Sequence, residues 1–138
     1  MFYTISKDNH YCNERPLIPT IHYKQRYLDL SFEFKDTCKY NTEDNNNTSI
    51  NKLYGISWGL HHRYSYRIGW VHNPLTDLID LYHYWYNRDQ NTTHNSKFLS
   101  STHTNYTYDL NIHFNYDRNI IEVSTGIRIL SIPFIFPT

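Results

Sequence analysis

Alternation of apolar and polar residues, the period of a β-strand, is the recurring pattern along this chain of 138 residues. In residues 27–35 every second side chain is apolar and falls on one face, which comprises Leu28, Leu30, Phe32 and Phe34. Residues 106–116 alternate in the same way, and the polar run 117–119 predicts a turn into a second strand over residues 120–124. The pattern predicts short antiparallel strands.

Two polar tracts, residues 41–49 and residues 87–96, are rich in Asn, Asp and Thr and predict loops between these strands. No repeat of fixed period is present, and no long segment has the spacing of an amphipathic helix. A chain of this length supports one hydrophobic core, so we expect a single domain over residues 1–138. The predicted fold is an all-β antiparallel sandwich of the jelly-roll, concanavalin-like type.

The charge balance excludes some classes of partner. Lys and Arg total 13, Asp and Glu total 13, and the formal net charge is +0, so no basic field is available to hold a nucleic acid. No window approaches the ~18 apolar residues of a membrane span, and no signal peptide is visible. We therefore expect neither nucleic acid nor membrane as a partner, and a cytoplasmic or virion-associated location.

Histidine and cysteine are present without a metal-binding pattern. The 9 His residues are scattered, and adjacent His61 and His62 would point to opposite faces of a strand. We predict no metal and no cofactor. Cys12 and Cys38 can pair or remain free, and two ordinary thiols are the favoured interpretation.

The most informative segment is residues 51–86, which is rich in aromatic, cationic and hydroxyl side chains. With a period of two, its apolar side chains pack into the core: Tyr66, Ile68, Trp70, Leu81 and Trp85. The opposite face then collects the candidate site residues, which are Lys52, Tyr54, His61, Ser65, Arg67, Tyr82, Tyr84 and Tyr86. We predict that this face carries the function.

Such a face suits a sugar. Aromatic rings stack on sugar faces, and an Arg guanidinium can hold a uronate carboxylate through two hydrogen bonds. It also suits β-elimination, in which Arg67 or Lys52 neutralises the carboxylate and a tyrosine of lowered pKa removes the adjacent proton. The alternative is structural: outward-facing tyrosines are common in strands, and Arg67 can pair with Asp77 or Asp80.

A resemblance strengthens the first interpretation. The stretch NKLYGISWGLHHRYSYRIGW resembles an NKLxG…HHxxSxRxGW motif of small β-proteins from Bacteroidetes and their phages. More distantly, the order Lys-Leu-x-Gly, Ser-x-Arg, Tyr-x-Tyr is similar to polysaccharide lyase family 14. That resemblance implies a jelly roll with catalytic roles at Lys52, Ser65, Arg67, Tyr82 and Tyr84. The face analysis adds His61, Tyr54 and Tyr86 as candidate substrate contacts.

The sequence therefore predicts a glycan-binding or lyase-like protein whose partner is a polysaccharide. The alternative is a phage- or virus-associated structural or interaction protein without enzymatic activity. The resemblance implies that in the small relatives a glycine-containing turn and one further strand follow the segment matching IPFIFPT. This sequence shows no such strand, so we expect an uncovered edge strand. A second copy or a virion partner would cover that edge.

Overall fold

The computed structural model describes residues 3–5, 10–12, 26–39, 50–58, 63–88 and 93–137. Apart from one 3₁₀ turn, Asp36–Cys38, the regular structure of these residues is β. The strands are β1 (Tyr3–Ile5), β2 (His10–Cys12), β3 (Tyr27–Glu33), β4 (Asn51–Ser57), β5 (Tyr64–Asn73), β6 (Leu78–Asn87), β7 (His94–Thr102), β8 (Thr107–Asn115), β9 (Ile120–Ser124) and β10 (Ile129–Pro133). In this part of the chain no helix is long and apolar enough to cross a membrane.

The strands form two antiparallel four-stranded sheets and a two-stranded ribbon of β1 and β2. The first sheet has the order β4-β5-β6-β7, a meander of consecutive strands. The second sheet has the order β10-β9-β8-β3, in which β3 pairs with a strand from much later in the chain. The predicted all-β sandwich is confirmed, while its jelly-roll topology and single-domain extent stay predictions.

One core fills the space between the two sheets. In the first sheet the inward residues of β5 and β6 are buried, and in the second sheet Leu110, Ile112 and Phe114 of β8 face them. Rings meet across the interface: the centroids of Phe34 and Trp70 lie 5.2 Å apart, and those of Tyr66 and Phe114 lie 6.2 Å apart. The period-two interpretation of these strands is confirmed.

Trp58, directly after β4, ties the first sheet to the end of the second. Its ring centroid lies 5.2 Å from that of Phe134 and 5.2 Å from that of Phe136. The indole Nε1 also donates a hydrogen bond of 3.3 Å to the hydroxyl of Tyr116. This aromatic cluster closes one end of the core.

The loop between β6 and β7 is shorter than predicted. The prediction gave residues 87–96, but Asn87 ends β6 and residues 94–96 begin β7. The predicted loop over residues 41–49 lies outside the described residues. Cys38 is a free, partly buried thiol whose pKa is raised by burial, as expected of an ordinary structural cysteine.

Candidate functional site

The strand register brings most of the predicted site residues to the outer face of the first sheet. Arg67 on β5 lies opposite Tyr84 on β6, and Gly69 lies opposite both Tyr82 and Lys52. Strand β7 adds two side chains to the same face, since its register pairs them with β6. We call this surface the aromatic face; it consists of Lys52, Arg67, Tyr82, Tyr84, Tyr86, His94 and Phe98.

Tyr84 is the centre of the aromatic face, and its ring is covered by its neighbours. The Lys52 ammonium nitrogen lies 4.8 Å from the ring centroid, within cation–π range. The His94 imidazole stacks on the same ring at 5.0 Å with an interplanar angle of 17°, and the Tyr86 ring meets it edge-on at 5.9 Å. Only 6% of Tyr84 is exposed, so this ring positions its neighbours rather than serving as an open platform.

A glycine leaves room for this arrangement. Gly69 lies between Lys52 on β4 and Tyr82 on β6, so no side chain separates the lysine from β6. A Cβ atom at Gly69 would lie 2.3 Å from Cγ2 of Ile50, closer than van der Waals contact allows. The absence of a side chain therefore lets Ile50 pack here and leaves Lys52 a path toward Tyr84.

The aromatic face shifts the pKa values of its central groups. Burial and the nearby charge of Arg67 lower the pKa of Lys52. Burial and a hydrogen bond with Tyr86 raise the pKa of Tyr84, and the Arg67 charge opposes this only in part. Burial and the charge of Asp80 raise the pKa of Tyr82. Neither Tyr82 nor Tyr84 therefore has the lowered pKa expected of a tyrosine base, because burial raises the pKa of both.

The exposed rings lie toward β7. Phe98 is 50% exposed, although its ring meets that of Tyr82 edge-on at 5.8 Å. His94 is exposed, while Tyr82 and Tyr86 are each partly exposed. A ligand approaching this surface meets aromatic edges and faces over β6 and β7, and it meets the cations over β4 and β5.

The predicted alternative partners of Arg67 are engaged elsewhere. Asp77 contacts the Lys39 ammonium at 2.9 Å and the His72 imidazole at 3.0 Å. The carboxylate of Asp80 accepts hydrogen bonds from Ser101, at 2.7 Å, and from Asn73. Among the residues that the structure describes, Arg67 forms no ion pair with a carboxylate. Its register opposite Tyr84 places it on the outer side of the sheet.

Three predicted site residues are placed differently. Ser65 lies on the outer side opposite Tyr86, but only 2% of it is exposed. A β-bulge between Lys52 and Tyr54 puts Tyr54 opposite the core residue Ile68, so Tyr54 does not share the face of Lys52, which corrects the prediction. His61 lies outside the described residues.

Sequence reasoning missed His94 and Phe98. Both lie in or beside a tract rich in Asn and Thr that reads as a loop, and neither has a strongly apolar neighbour at every second position. The signal that was available is weak: His94, Ser96 and Phe98 alternate with Asn95, Lys97 and Leu99.

Beneath the aromatic face lies a buried polar pair. The hydroxyl of Tyr66 and Nδ1 of His83 share a hydrogen bond of 2.6 Å, and both side chains are fully buried. Burial and the charge of Lys97 lower the pKa of His83 to about 4, while burial raises that of Tyr66. Both groups are therefore neutral near pH 7.

No group of three or more His, Cys, Asp or Glu side chains is suitably placed to hold a metal ion within the described ranges. Comparison of the chain with protein-family models, with curated proteins and with solved structures found no match. The function proposed below rests on the side chains of the aromatic face.

Proposed function

We propose that the aromatic face binds a polysaccharide that carries carboxylate groups, such as a polyuronate. The observation that carries this proposal is the juxtaposition of two cations with exposed rings on one sheet surface. Rings over β6 and β7 supply stacking area for sugar faces, and Lys52 and Arg67 supply positive charge that forms no ion pair with a described carboxylate.

Binding is favoured over elimination by the protonation states. A base for β-elimination must be unprotonated near the working pH, whereas the pKa values of Tyr82 and Tyr84 are raised. The hydroxyl of the partly exposed Tyr82 is therefore a donor for a hydrogen bond to a sugar oxygen, whereas that of the covered Tyr84 is engaged with Tyr86. Lys52 is the one predicted proton-transfer group whose pKa shifts toward neutrality, and its ammonium lies over the Tyr84 ring.

The experiment is a glycan array followed by calorimetric titration with alginate and glucuronan. We expect binding to polyuronates and a loss of roughly tenfold or more for Arg67→Ala, because each charge-assisted hydrogen bond contributes about 1.5–3 kcal/mol. Phe98→Ala should weaken binding by roughly tenfold through lost stacking area. Arg118→Ala is the matched control for the cation, since Arg118 is exposed in the turn between β8 and β9.

Tyr27→Ala is the matched control for the ring. Tyr27 is 58% exposed and stacks on His113 at 4.6 Å, so it presents similar aromatic area on the second sheet. Equal losses from Tyr27→Ala and Phe98→Ala would contradict the proposal, as would unchanged binding by a folded Lys52→Ala/Arg67→Ala variant.

A lyase assay separates binding from chemistry. Cleavage of a polyuronate by elimination produces an unsaturated sugar that absorbs in the near ultraviolet. We expect no such increase at pH 7, because both tyrosines are protonated there. An increase that disappears in Tyr84→Phe would show that the face catalyses elimination and would overturn the preference for binding alone.

A further inference from the structure

The free edge of strand β10 differs from the other sheet edges in its lack of charge. In the described part of the chain, the two four-stranded sheets have four edge strands: β3, β4, β7 and β10. Strand β3 carries Asp29 and Glu33, β4 carries Lys52, and β7 carries Lys97. Strand β10, with the sequence ILSIP, carries no charged side chain. Charged residues are a common means by which edge strands avoid pairing with other chains, and β10 lacks this protection.

The hydrogen-bond pattern identifies which backbone groups of β10 point outward. The amide of Phe134 donates to the carbonyl of Asn119 at 2.9 Å, and the amide of Thr125 donates to the carbonyl of Arg128 at 3.1 Å. Because antiparallel ladders alternate, even-numbered residues of this segment direct their backbone groups toward β9. The odd-numbered residues, Ile129, Ser131 and Pro133, direct theirs toward the open edge.

Apolar side chains accompany this edge. Ile129 is 65% exposed, and Ile127 in the preceding turn is 96% exposed. Ile135, just past the strand, is 39% exposed. Exposed apolar side chains beside unpaired backbone groups are typical of a surface that pairs with another strand.

We propose that β10 pairs with β10 of a second copy of this chain, antiparallel and about a twofold axis at Leu130. This register places Ile129 of each copy opposite Ser131 of the other. The outward amide of each residue then donates a hydrogen bond to the outward carbonyl of the residue opposite it. Pro133 has no amide hydrogen, and in this register its carbonyl lies opposite Ile127, whose amide hydrogen is available. The one charged residue between Ile127 and Pro133 is Arg128, which this register places opposite Ile132 of the other copy, so no like charges lie directly opposite each other across the seam. The second sheet of one copy and the second sheet of the other then form one continuous sheet.

This inference is independent of glycan binding, because the aromatic face lies on the first sheet. A twofold pair of copies presents two aromatic faces to one polymer, which increases the apparent affinity without a new sugar contact. The two proposals therefore fail separately: a monomer can bind sugar, and a dimer can lack sugar affinity.

The test is the molar mass of the full chain in solution, measured by sedimentation and by light scattering over a range of concentrations. We expect twice the chain mass of 16.8 kDa for the unmodified protein. Ile129→Lys and Ser131→Pro should each shift the protein to the monomer, the first by charge repulsion across the axis and the second by removing an outward amide. Leu75→Lys is the matched control, since Leu75 is 95% exposed in the turn between β5 and β6, which belong to the other sheet.

A monomer at every concentration would overturn the proposal, and so would a dimer that survives both edge variants or is lost equally in Leu75→Lys. A cross-link tests the register independently of those variants. With Cys12 and Cys38 replaced by serine, Leu130→Cys should form a covalent dimer on mild oxidation, because residues at the axis of an unbonded antiparallel pair lie close enough for a disulfide. Leu75→Cys should not, and equal cross-linking of the two would contradict the register.

Discussion

At the scale of single residues, the fully buried His83 makes stability depend on pH. Its pKa is lowered from 6.5 to about 4 in the folded protein because burial disfavours the imidazolium. The unfolded chain therefore binds a proton more readily than the native chain between these two values. The stabilisation is fully present above about pH 6.5, where His83 is neutral in both states, and it is lost as the pH falls toward 4.

We expect the free energy of unfolding to fall by up to about 3 kcal/mol from this group between pH 7 and pH 4. His83→Gln should flatten this part of the profile, even though it also removes the hydrogen bond to Tyr66. The measurement is urea denaturation at a series of pH values. His103→Gln, at an exposed position, should leave the profile unchanged, and a His83→Gln profile as steep as that of the unmodified protein would contradict the assignment.

At the scale of strands, the pairing of β4 with β5 depends on close approach at Gly55. A Cβ atom there would lie 1.9 Å from the carbonyl oxygen of Tyr66 and 2.6 Å from Cα of Arg67. Both atoms belong to the backbone of β5, so neither can move without separating the strands.

Gly55→Ala should therefore destabilise the fold by about 2 kcal/mol or more and displace Arg67 from the aromatic face. Gly126→Ala is a suitable comparison, because its Cβ would meet open space and only the positive φ of 89° adds strain, worth about 1 kcal/mol. Thermal and urea denaturation measure both. Equal losses in the two variants would show that close approach at Gly55 is unimportant.

Sequence alternation predicted the strands whose inward positions are uniformly apolar. Strand β8 is such a case, with Leu110, Ile112 and Phe114 buried, and Asp29 and Ser31 are exposed on β3 as the pattern requires. It failed for β7, where the inward positions begin with Asn95 and Lys97 and a bulge follows. Hydrophobic period carries no information where polar side chains occupy both faces.

Part of the aromatic face was predictable from the sequence, because it lies on strands whose inward residues are apolar. Arg67, Tyr82 and Tyr84 follow from period two on β5 and β6, whose inward residues are apolar. The exclusion of Tyr54 was not, because the bulge at Lys52 arises from how β4 pairs with β5. The covering of Tyr84 also depends on His94, from a strand that the pattern did not reveal.

At the scale of the whole molecule, the two sheets are joined through aromatic packing at Trp58. Trp58 directly follows β4, and its ring contacts Phe114 of β8 as well as Phe134 and Phe136, which follow β10. Trp58→Ala should therefore reduce the free energy of unfolding by about 3–5 kcal/mol, since it leaves a cavity between the sheets. Urea denaturation followed by circular dichroism measures this. Tyr106→Ala, at a ring that is 62% exposed, should have little effect, and a comparable loss there would argue against the role of Trp58.

Charge is also divided between the two outer faces, although the net charge is +0. The first sheet carries Lys52 and Arg67 outward together with one acid, Asp80, whereas the second sheet carries three acids outward: Asp29, Asp109 and Glu122. An acidic polymer is therefore attracted to one face and repelled by the other, and added salt should weaken its binding.

The three tryptophans all belong to the core or its margin, and none lies on the aromatic face. Trp70 and Trp85 are buried, and Trp58 packs between the sheets. Tryptophan emission, excited at wavelengths where tyrosine does not absorb, is therefore an optical signal of unfolding that a bound sugar leaves almost unchanged. Tyrosine absorption offers no such separation, because the 14 tyrosines lie on both sheets and in the core. Tryptophan emission can therefore follow the folded fraction during a sugar titration.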